Sequence, residues 1–153
     1  MGTIERIYDI IRAYANYTEE EVEANPQSIE LLLSDIRQQV QNANDATVRV
    51  KADEIMVRRQ LEECDAELDK IDAQAREALK TDDEGKARDL LTKKLSLQDK
   101  RAGLAKSYAE AQARTAEMRA KYEKISADAW QVEEYAKQVR ERNEEANRKL
   151  GGW

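Results

Sequence analysis

Two series of apolar residues, each spaced alternately three and four positions apart, constrain the fold of this chain more than any other feature. The first series runs from Ile29 to Ala78 and the second from Ala87 to Ala136. Such spacing places every member on one face of an α-helix, where the members form the seam of a coiled coil. The chain is only 41% hydrophobic, so composition alone does not account for so long an apolar seam.

The two series mirror each other about the segment between them. Their members are Ile29, Leu33, Ile36, Val40, Ala43, Thr47, Val50, Glu54, Val57, Leu61, Cys64, Leu68, Ile71, Ala75 and Ala78, then Ala87, Leu90, Lys94, Leu97, Arg101, Leu104, Tyr108, Ala111, Thr115, Met118, Tyr122, Ile125, Ala129, Val132 and Ala136. Folding one helix back on the other sets Ala78 against Ala87 and Ile29 against Ala136. The sequence therefore predicts an all-α fold, a long antiparallel coiled-coil helical hairpin with arms at about 26–80 and 82–150.

Polar residues interrupt the seam at a few positions. Thr47 and Thr115 are neutral, whereas Glu54, Lys94 and Arg101 are charged. The charged residues can fix the register of the two helices, or their long side chains can carry the charge out to solvent, and we favour the second interpretation. Cys64, which would lie opposite Arg101, is predicted to be a small core residue.

The turn of the hairpin is predicted near 80–85. Thr81 and Glu84 have the spacing of a capping box, and Asp82 and Asp83 add negative charge where a helix start favours it. Lys80 suits the carboxyl end of the preceding helix.

A short segment precedes the hairpin. Residues 3–17 gather apolar and aromatic side chains on one helical face, which predicts an amphipathic helix. That face consists of Ile4, Ile7, Tyr8, Ile11 and Tyr14, widened by Ile10 and Tyr17. Asn25 followed by Pro26 signals a new helix start. The predicted domains are 1–24 for the amphipathic helix and its acidic link, 25–150 for the hairpin, and 151–153 for a tail.

The residue types that usually carry catalysis, metal binding and nucleic-acid binding are scarce. The chain has no histidine and one cysteine, which gives no support for an enzyme, a cofactor or a metal site. Its net charge is −6, with acidic and basic residues interspersed, so there is no basic stripe for nucleic acid. No stretch approaches the ~20 apolar residues of a membrane span.

The sequence of the leading helix is compatible with two roles and does not distinguish between them. It can pack on its own hairpin, or it can lie in a lipid interface, where isoleucine and tyrosine suit the boundary between acyl chains and headgroups. Its charges cancel and an acidic link follows, so binding to lipid would be weak singly and useful only in many copies. The seam also continues past the first arm, through Val139 and Leu150, where the leading helix or another subunit could cover it.

The turn carries the most specific motif, AREALKTDDEGKARDLLTKK. Its matching residues are Ala75, Ala78, Leu79, Glu84, Ala87, Arg88, Leu91 and Lys94. Together with the short leading helix and the Asn-Pro restart, this motif resembles the phage-shock-protein A family of the ESCRT-III-like superfamily, which includes the vesicle-inducing protein of plastids. The resemblance covers about residues 3–150. Family chains usually continue with further helices, and their turn glycine is replaced here by Asp82.

The resemblance implies a bacterial membrane-stress scaffold, peripheral on the cytoplasmic face of the membrane, that forms homo-oligomers such as rods or rings and binds or remodels the lipid surface. The implied membrane-binding residues are Ile4, Ile7, Tyr8, Ile11, Tyr14 and Tyr17, and the turn motif residues are Ala78, Leu79, Glu84, Ala87, Arg88 and Leu91. The alternative is a soluble coiled-coil regulatory module that binds a partner protein such as a transcriptional activator, with the leading helix packed near Val139 and Leu150.

Overall fold

Three helices make up the computed structural model, which describes residues 3–15, 20–21 and 26–151. Helix α1 spans Thr3–Ala15, α2 spans Pro26–Lys80 and α3 spans Glu84–Gly151. Helices α2 and α3 pack together as an antiparallel hairpin, and α1 precedes them. No residue in these described ranges belongs to a strand. The predicted all-α fold, a helical hairpin preceded by a short helix, is confirmed.

The chain divides into two compact units. The α1 unit comprises Met1–Ala46 and Arg119–Trp153, and the turn unit comprises Thr47–Met118. In each unit, the inward-facing positions of α2 and α3 are those of the two predicted series. Every member on α2, and every member on α3 except Arg101, is buried or half-buried. The periodicity of the sequence therefore identifies the contact faces of both helices.

Small side chains and satisfied hydroxyl groups characterise the seam of the turn unit. A buried cluster consists of Ile71, Ala75, Ala78, Ala87 and Leu90. Farther from the turn, the Thr47 hydroxyl donates to the Met118 carbonyl at 3.3 Å. The Thr115 hydroxyl lies 3.0 Å from the carbonyl oxygen of Ala111 and 3.4 Å from that of Val50. Because backbone carbonyls accept these hydrogen bonds, the two threonines sit in the seam without an unsatisfied buried donor.

Two ion pairs join α2 to α3 in the turn unit. Lys94 Nζ lies 2.7 Å from Asp72 Oδ1, and the Arg101 guanidinium pairs with Asp65. The two pairs are one heptad apart on both helices. Their side chains are about a third to a half exposed, so each pair contributes roughly 0–1 kcal/mol to stability. Their main effect is on register, because a slip along either helix would separate both pairs together.

The remaining polar members of the seam stay inside it. Glu54 is only 7% exposed, and its carboxylate pairs with Lys51 on the same helix at 3.1 Å. The expectation that Glu54 carries its charge out to solvent is therefore wrong. Cys64 is a buried core residue, as predicted, and its Sγ lies 3.5 Å from the Leu97 carbonyl oxygen.

A left-handed residue ends α2. Asp82 has a φ of 55°, and two backbone hydrogen bonds close the turn around it. The Asp83 N–H donates to the Ala78 carbonyl at 2.9 Å, and the Asp82 N–H donates to the Leu79 carbonyl at 3.3 Å. This is the Schellman arrangement, which satisfies carbonyls at a helix end and usually has glycine in the left-handed position.

The cap of α3 differs from the predicted capping box. Asp83 Oδ1 accepts a hydrogen bond from the Lys86 N–H at 3.1 Å, whereas the Thr81 hydroxyl lies 3.2 Å from the carbonyls of Glu77 and Ala78. The prediction that Thr81 caps α3 was wrong, because the left-handed turn at Asp82 leaves Asp83 as the residue that precedes the helix. Thr81 instead satisfies the end of α2.

Substitutions at the two aspartates of the turn are expected to shift stability in opposite directions. Asp82→Gly should stabilise the fold by about 0.5–1 kcal/mol, because the left-handed conformation costs an L-residue about 1–2 kcal/mol and glycine's extra freedom in the unfolded chain offsets part of that gain. Asp83→Ala should destabilise it by about 1 kcal/mol through loss of the helix cap. Thermal unfolding followed by circular dichroism checks both, and a lower midpoint for Asp82→Gly would contradict this account of the turn.

Candidate functional site

The candidate site is the face of α1 that packs on the hairpin in the α1 unit. Helix α1 contributes Ile7, Tyr8 and Ile11 to a buried cluster, which also contains Ile29, Leu32, Leu33 and Ile36 from α2 and Val132, Tyr135 and Ala136 from α3. Ile11 is 0% exposed. Three helices thus enclose one hydrophobic core, and the apolar face of α1 supplies one of its sides.

The sequence of α1 explains both its helical form and the way it faces. Its apolar residues recur every three or four positions, so they form one stripe. Glu5 in the first turn and Arg12 in the last turn suit the helix dipole. Glu5, Arg6, Asp9 and Arg12 are exposed, and Arg12 pairs with Asp9 at 2.6 Å. The charged face therefore points to solvent while the apolar face points into the core.

Tyrosine side chains of α1 make polar contacts with α3. The Tyr14 hydroxyl donates to Asp128 Oδ2 at 2.9 Å. The hydroxyl oxygens of Tyr8 and Tyr135 lie 3.4 Å apart, and the two rings meet edge to face with centroids 6.2 Å apart. Burial of the Tyr14 side chain, together with the hydrogen bond to Asp128 and its negative charge, raises the pKa of Tyr14 to about 12. The packed arrangement therefore requires a neutral tyrosine at this position.

A groove opens beside this contact. It has a volume of about 380 Å³ and is lined by Ile7 of α1 and by Trp130, Tyr135 and Arg142 of α3, among others. Trp130 is 64% exposed, so a large aromatic surface stands at the edge of the groove.

The surface on which α1 packs differs in part from the surface predicted for a packed leading helix. Val139 is half-buried against the cluster that contains α1, but Leu150 is 72% exposed. Helix α1 therefore packs where α2 and α3 are paired, and it leaves the last turns of α3 uncovered. The reason is that α2 begins at Pro26 and supplies four of the seven buried hairpin residues in the cluster on which α1 packs.

The structure brings together four of the residues predicted to bind membrane. Ile7, Tyr8 and Ile11 are buried against the hairpin, and Tyr14 is half-buried at its hydrogen bond with Asp128. The side chain of Ile4 and the whole of Tyr17 lie outside the described residues.

The predicted turn motif residues have two different environments. Ala78 and Ala87 are each 3% exposed and belong to the seam. Leu79 is 60% exposed and Leu91 is 49% exposed. The two leucines of the motif are thus exposed at the surface, whereas its two alanines are buried in the seam.

The other two turn motif residues are charged and pair with each other. Glu84 and Arg88 are one helical turn apart on α3, and their charged atoms lie 3.5 Å apart with both side chains largely exposed. A surface pair of this kind contributes little to stability, roughly 0–1 kcal/mol.

The described ranges contain neither a metal-binding cluster nor a helix suited to span a membrane. No group of three or more His, Cys, Asp and Glu residues there is placed to hold a metal ion. None of the helices in those ranges is long and apolar enough to cross a membrane.

The two predicted series miss several residues of the site. Leu32 and Tyr135 are buried but lie beside the seam, because they face α1 and not the opposite arm of the hairpin. The sequence does carry a signal for this, since Leu32 next to Leu33 makes the apolar face of α2 wider than a two-helix seam requires. Asp128 has no such signal, because a carboxylate on a charged helix is unremarkable until its partner is known.

Two comparisons relate the chain to known proteins. A model of the PspA/IM30 family matches residues 2–149. A curated relative, the phage shock protein A homolog of Bacillus subtilis (strain 168), is 28% identical over 133 residues, which cover 87% of this chain and 59% of the relative. The chain therefore spans less than two thirds of the length of that relative.

The raised pKa of Tyr14 predicts how the packing of α1 depends on pH. The folded-state pKa of about 12 lies above the ordinary value of 10.0, so the contribution of neutral Tyr14 to stability is complete below pH 10 and is lost as the pH rises through about 12. Titrating tyrosinate absorbance in the parent chain and in Tyr14→Phe, and subtracting the curves, should isolate a midpoint near pH 12. A difference curve centred near pH 10 would contradict the packed position of Tyr14.

Proposed function

Because the chain belongs to the PspA/IM30 family, we propose that it is a stress-response scaffold that oligomerises and binds or remodels the cytoplasmic face of the membrane through α1. Family membership, which rests on a match over residues 2–149, confirms the resemblance predicted from the turn motif and the leading helix.

The amphipathic face of α1 is the observation that carries the membrane proposal. Ile7, Tyr8 and Ile11 form one apolar side, and the exposed charges, among them Arg6 and Asp9, lie on the other. A short helix with this division can lie in the plane of a lipid interface, with its apolar side among the acyl chains and its charges in the headgroup region. The resemblance to the family implies membrane contact at the leading helix, and the division of α1 into an apolar and a charged side supports this proposal.

The affinity of a single α1 for lipid would be modest. Full burial of an isoleucine side chain is worth about 1.5–3 kcal/mol, but in the packed form that burial already exists within the protein. Release of α1 from the hairpin therefore offsets much of what insertion into lipid gains. Assembly of many copies restores strong binding, because each bound copy raises the effective concentration of the next.

Self-association is assigned to the exposed apolar side chains of the turn unit. Leu79, Leu91 and Leu95 are 60%, 49% and 65% exposed, and Leu91 and Leu95 are one helical turn apart on α3. Contiguous exposed apolar surface often marks contact with another protein chain, and the i,i+4 spacing of Leu91 and Leu95 puts them on one face of α3. Two of the three belong to the family motif at the turn, which supports a role in assembly.

A second candidate is a coiled-coil regulatory module that binds a partner protein, such as a transcriptional activator, away from the membrane. The packing of α1 on its own hairpin favours it, since a helix used inside the protein has no need of lipid. The groove edged by Trp130 would then offer a contact surface. If neither the parent chain nor its variants bind lipid vesicles, this candidate replaces the membrane scaffold.

A single charge on the apolar face of α1 should weaken lipid binding. Ile7→Glu is expected to weaken binding to vesicles of phosphatidylethanolamine and phosphatidylglycerol by at least about tenfold. A carboxylate on the apolar face must leave water to enter the lipid, and we expect this cost to exceed what is gained from weaker packing on the hairpin by the ~1.4 kcal/mol that corresponds to a factor of ten. Co-sedimentation with vesicles measures the bound fraction, and a chain that lacks residues 1–24 gives the background.

Ala13→Glu is the matched control. It introduces the same charge into the same helix, but Ala13 is on the exposed face, so its binding should stay within about twofold of the parent. Equal loss in the two variants would show a general charge effect and would contradict insertion of the Ile7 face.

Removing apolar surface near the turn should reduce assembly. The double variant Leu91→Gln, Leu95→Gln is expected to form smaller assemblies in sedimentation velocity and negative-stain microscopy, because it deletes exposed contact surface without touching the seam. Met56→Gln is the control. Met56 is an apolar residue on α2 that is 57% exposed, so this variant removes exposed apolar surface away from Leu91 and Leu95. Assemblies of unchanged size in the double variant would overturn the assignment of the turn.

A further inference from the structure

The face of α1 that would enter lipid is the face that the hairpin covers. Ile7, Tyr8 and Ile11 are 6%, 7% and 0% exposed, so none of them is available to a membrane while α1 is packed. One surface cannot serve both contacts at once. Lipid binding therefore requires α1 to leave the hairpin, and the apparent affinity for lipid falls with the fraction of molecules in which α1 is packed.

The apolar side chains of α1 itself do not discriminate strongly between its two positions, although release of α1 also uncovers apolar side chains of the hairpin such as Leu32 and Val132. The hydrophobic effect is non-directional, and the isoleucine side chains escape water equally in protein and in lipid. Polar contacts differ, because they need a partner at a fixed place. The Tyr14 hydroxyl has such a partner in Asp128 Oδ2, 2.9 Å away, and the contact exists only while α1 lies on α3.

We propose that the hydrogen bond from Tyr14 to Asp128 is an autoinhibitory latch, which holds α1 on the hairpin and thereby sets the affinity of the protein for membranes. This inference rests on the proposed function, since it concerns the release of the helix to which membrane binding is assigned. Asp128 is the regulatory half of the latch, because it lies on α3 and takes no part in the contact between α1 and lipid.

The position of the contact suits a latch. Tyr14 is near the end of α1, Thr3–Ala15, beyond the last buried isoleucine of the helix. A hydrogen bond to a carboxylate is stronger than one between neutral groups, and both partners are half-buried, so water competes only in part. The ion pair between Arg12 and Asp9 lies within α1 and moves with it, so it does not favour the packed form.

The test is a substitution outside the membrane helix that strengthens membrane binding. Asp128→Ala should speed hydrogen exchange of the backbone amides of residues 5–14 without lipid by about tenfold, and should tighten binding to phosphatidylethanolamine and phosphatidylglycerol vesicles by a similar factor. Tyr14→Phe, which keeps the ring and removes the donor, should act in the same direction. It also guards against a folding defect peculiar to Asp128→Ala, and circular dichroism verifies helix content in both.

Glu133→Ala is the matched control. It removes one negative charge from the same helix, but the Glu133 carboxylate pairs with Arg37 of α2 at 2.8 Å and not with α1. Neither exchange in residues 5–14 nor vesicle binding should change by more than about twofold in this variant, since an exposed pair contributes little. An equal gain of lipid binding in Glu133→Ala and Asp128→Ala would overturn the latch in favour of reduced repulsion from the anionic surface.

The two readouts separate the latch from the proposed function. Unchanged exchange in both latch variants, with lipid binding by the parent chain, overturns the latch and leaves the membrane role standing. Faster exchange without lipid binding by any variant overturns the membrane role and, with it, the regulatory consequence. Faster exchange with tighter binding in Asp128→Ala and Tyr14→Phe, and not in Glu133→Ala, supports both.

Discussion

Two helices packed side by side enclose only a narrow strip of side chains, and this limit decides where the protein buries its large apolar groups. Among the described residues, the largest side chains that are almost wholly buried all lie in the α1 unit: Ile11, Ile29, Leu32, Leu33, Ile36 and Val132. In the turn unit most of the buried apolar side chains are small, such as Ala75, Ala78, Ala87 and Ala111. A third helix turns the strip into a core, and α1 is that helix.

The structural and the proposed functional roles of α1 therefore compete for one surface. A helix that served lipid alone would need no hydroxyl group aligned with a carboxylate on the hairpin, yet Tyr14 and Asp128 are so aligned. Tyrosine suits both settings, because its ring is apolar and its hydroxyl can bond to a protein group, to water or to a headgroup. The residue type most useful at a membrane interface is also the one that ties α1 to α3.

The sequence predicts the pairing of α2 with α3 well because a period of three and four residues has few interpretations. It predicts less of the site, because the periodicity identifies only the face on which α2 and α3 contact each other. Leu32 and Tyr135 lie beside that face and contact a third helix, α1. The cap at Asp83 was missed for a different reason: adjacent Thr81, Asp82 and Asp83 are all acceptable caps, and the backbone angle at Asp82 chooses among them. Likewise Lys94 and Arg101 reach aspartates on α2, a choice of partner that composition cannot fix.

The shared face of α1 has a thermodynamic consequence. Amphipathic helices that bind lipid from water bury apolar surface, and the heat capacity falls as they do. If α1 transfers from the hairpin to lipid, its own apolar face is covered before and after, whereas Leu32, Ile36, Val132 and Tyr135 lose their cover and meet water. Newly exposed apolar surface raises the heat capacity. Calorimetry of membrane binding by this protein would then give a heat-capacity change that is close to zero or positive. Insertion of a free helix produces a negative change.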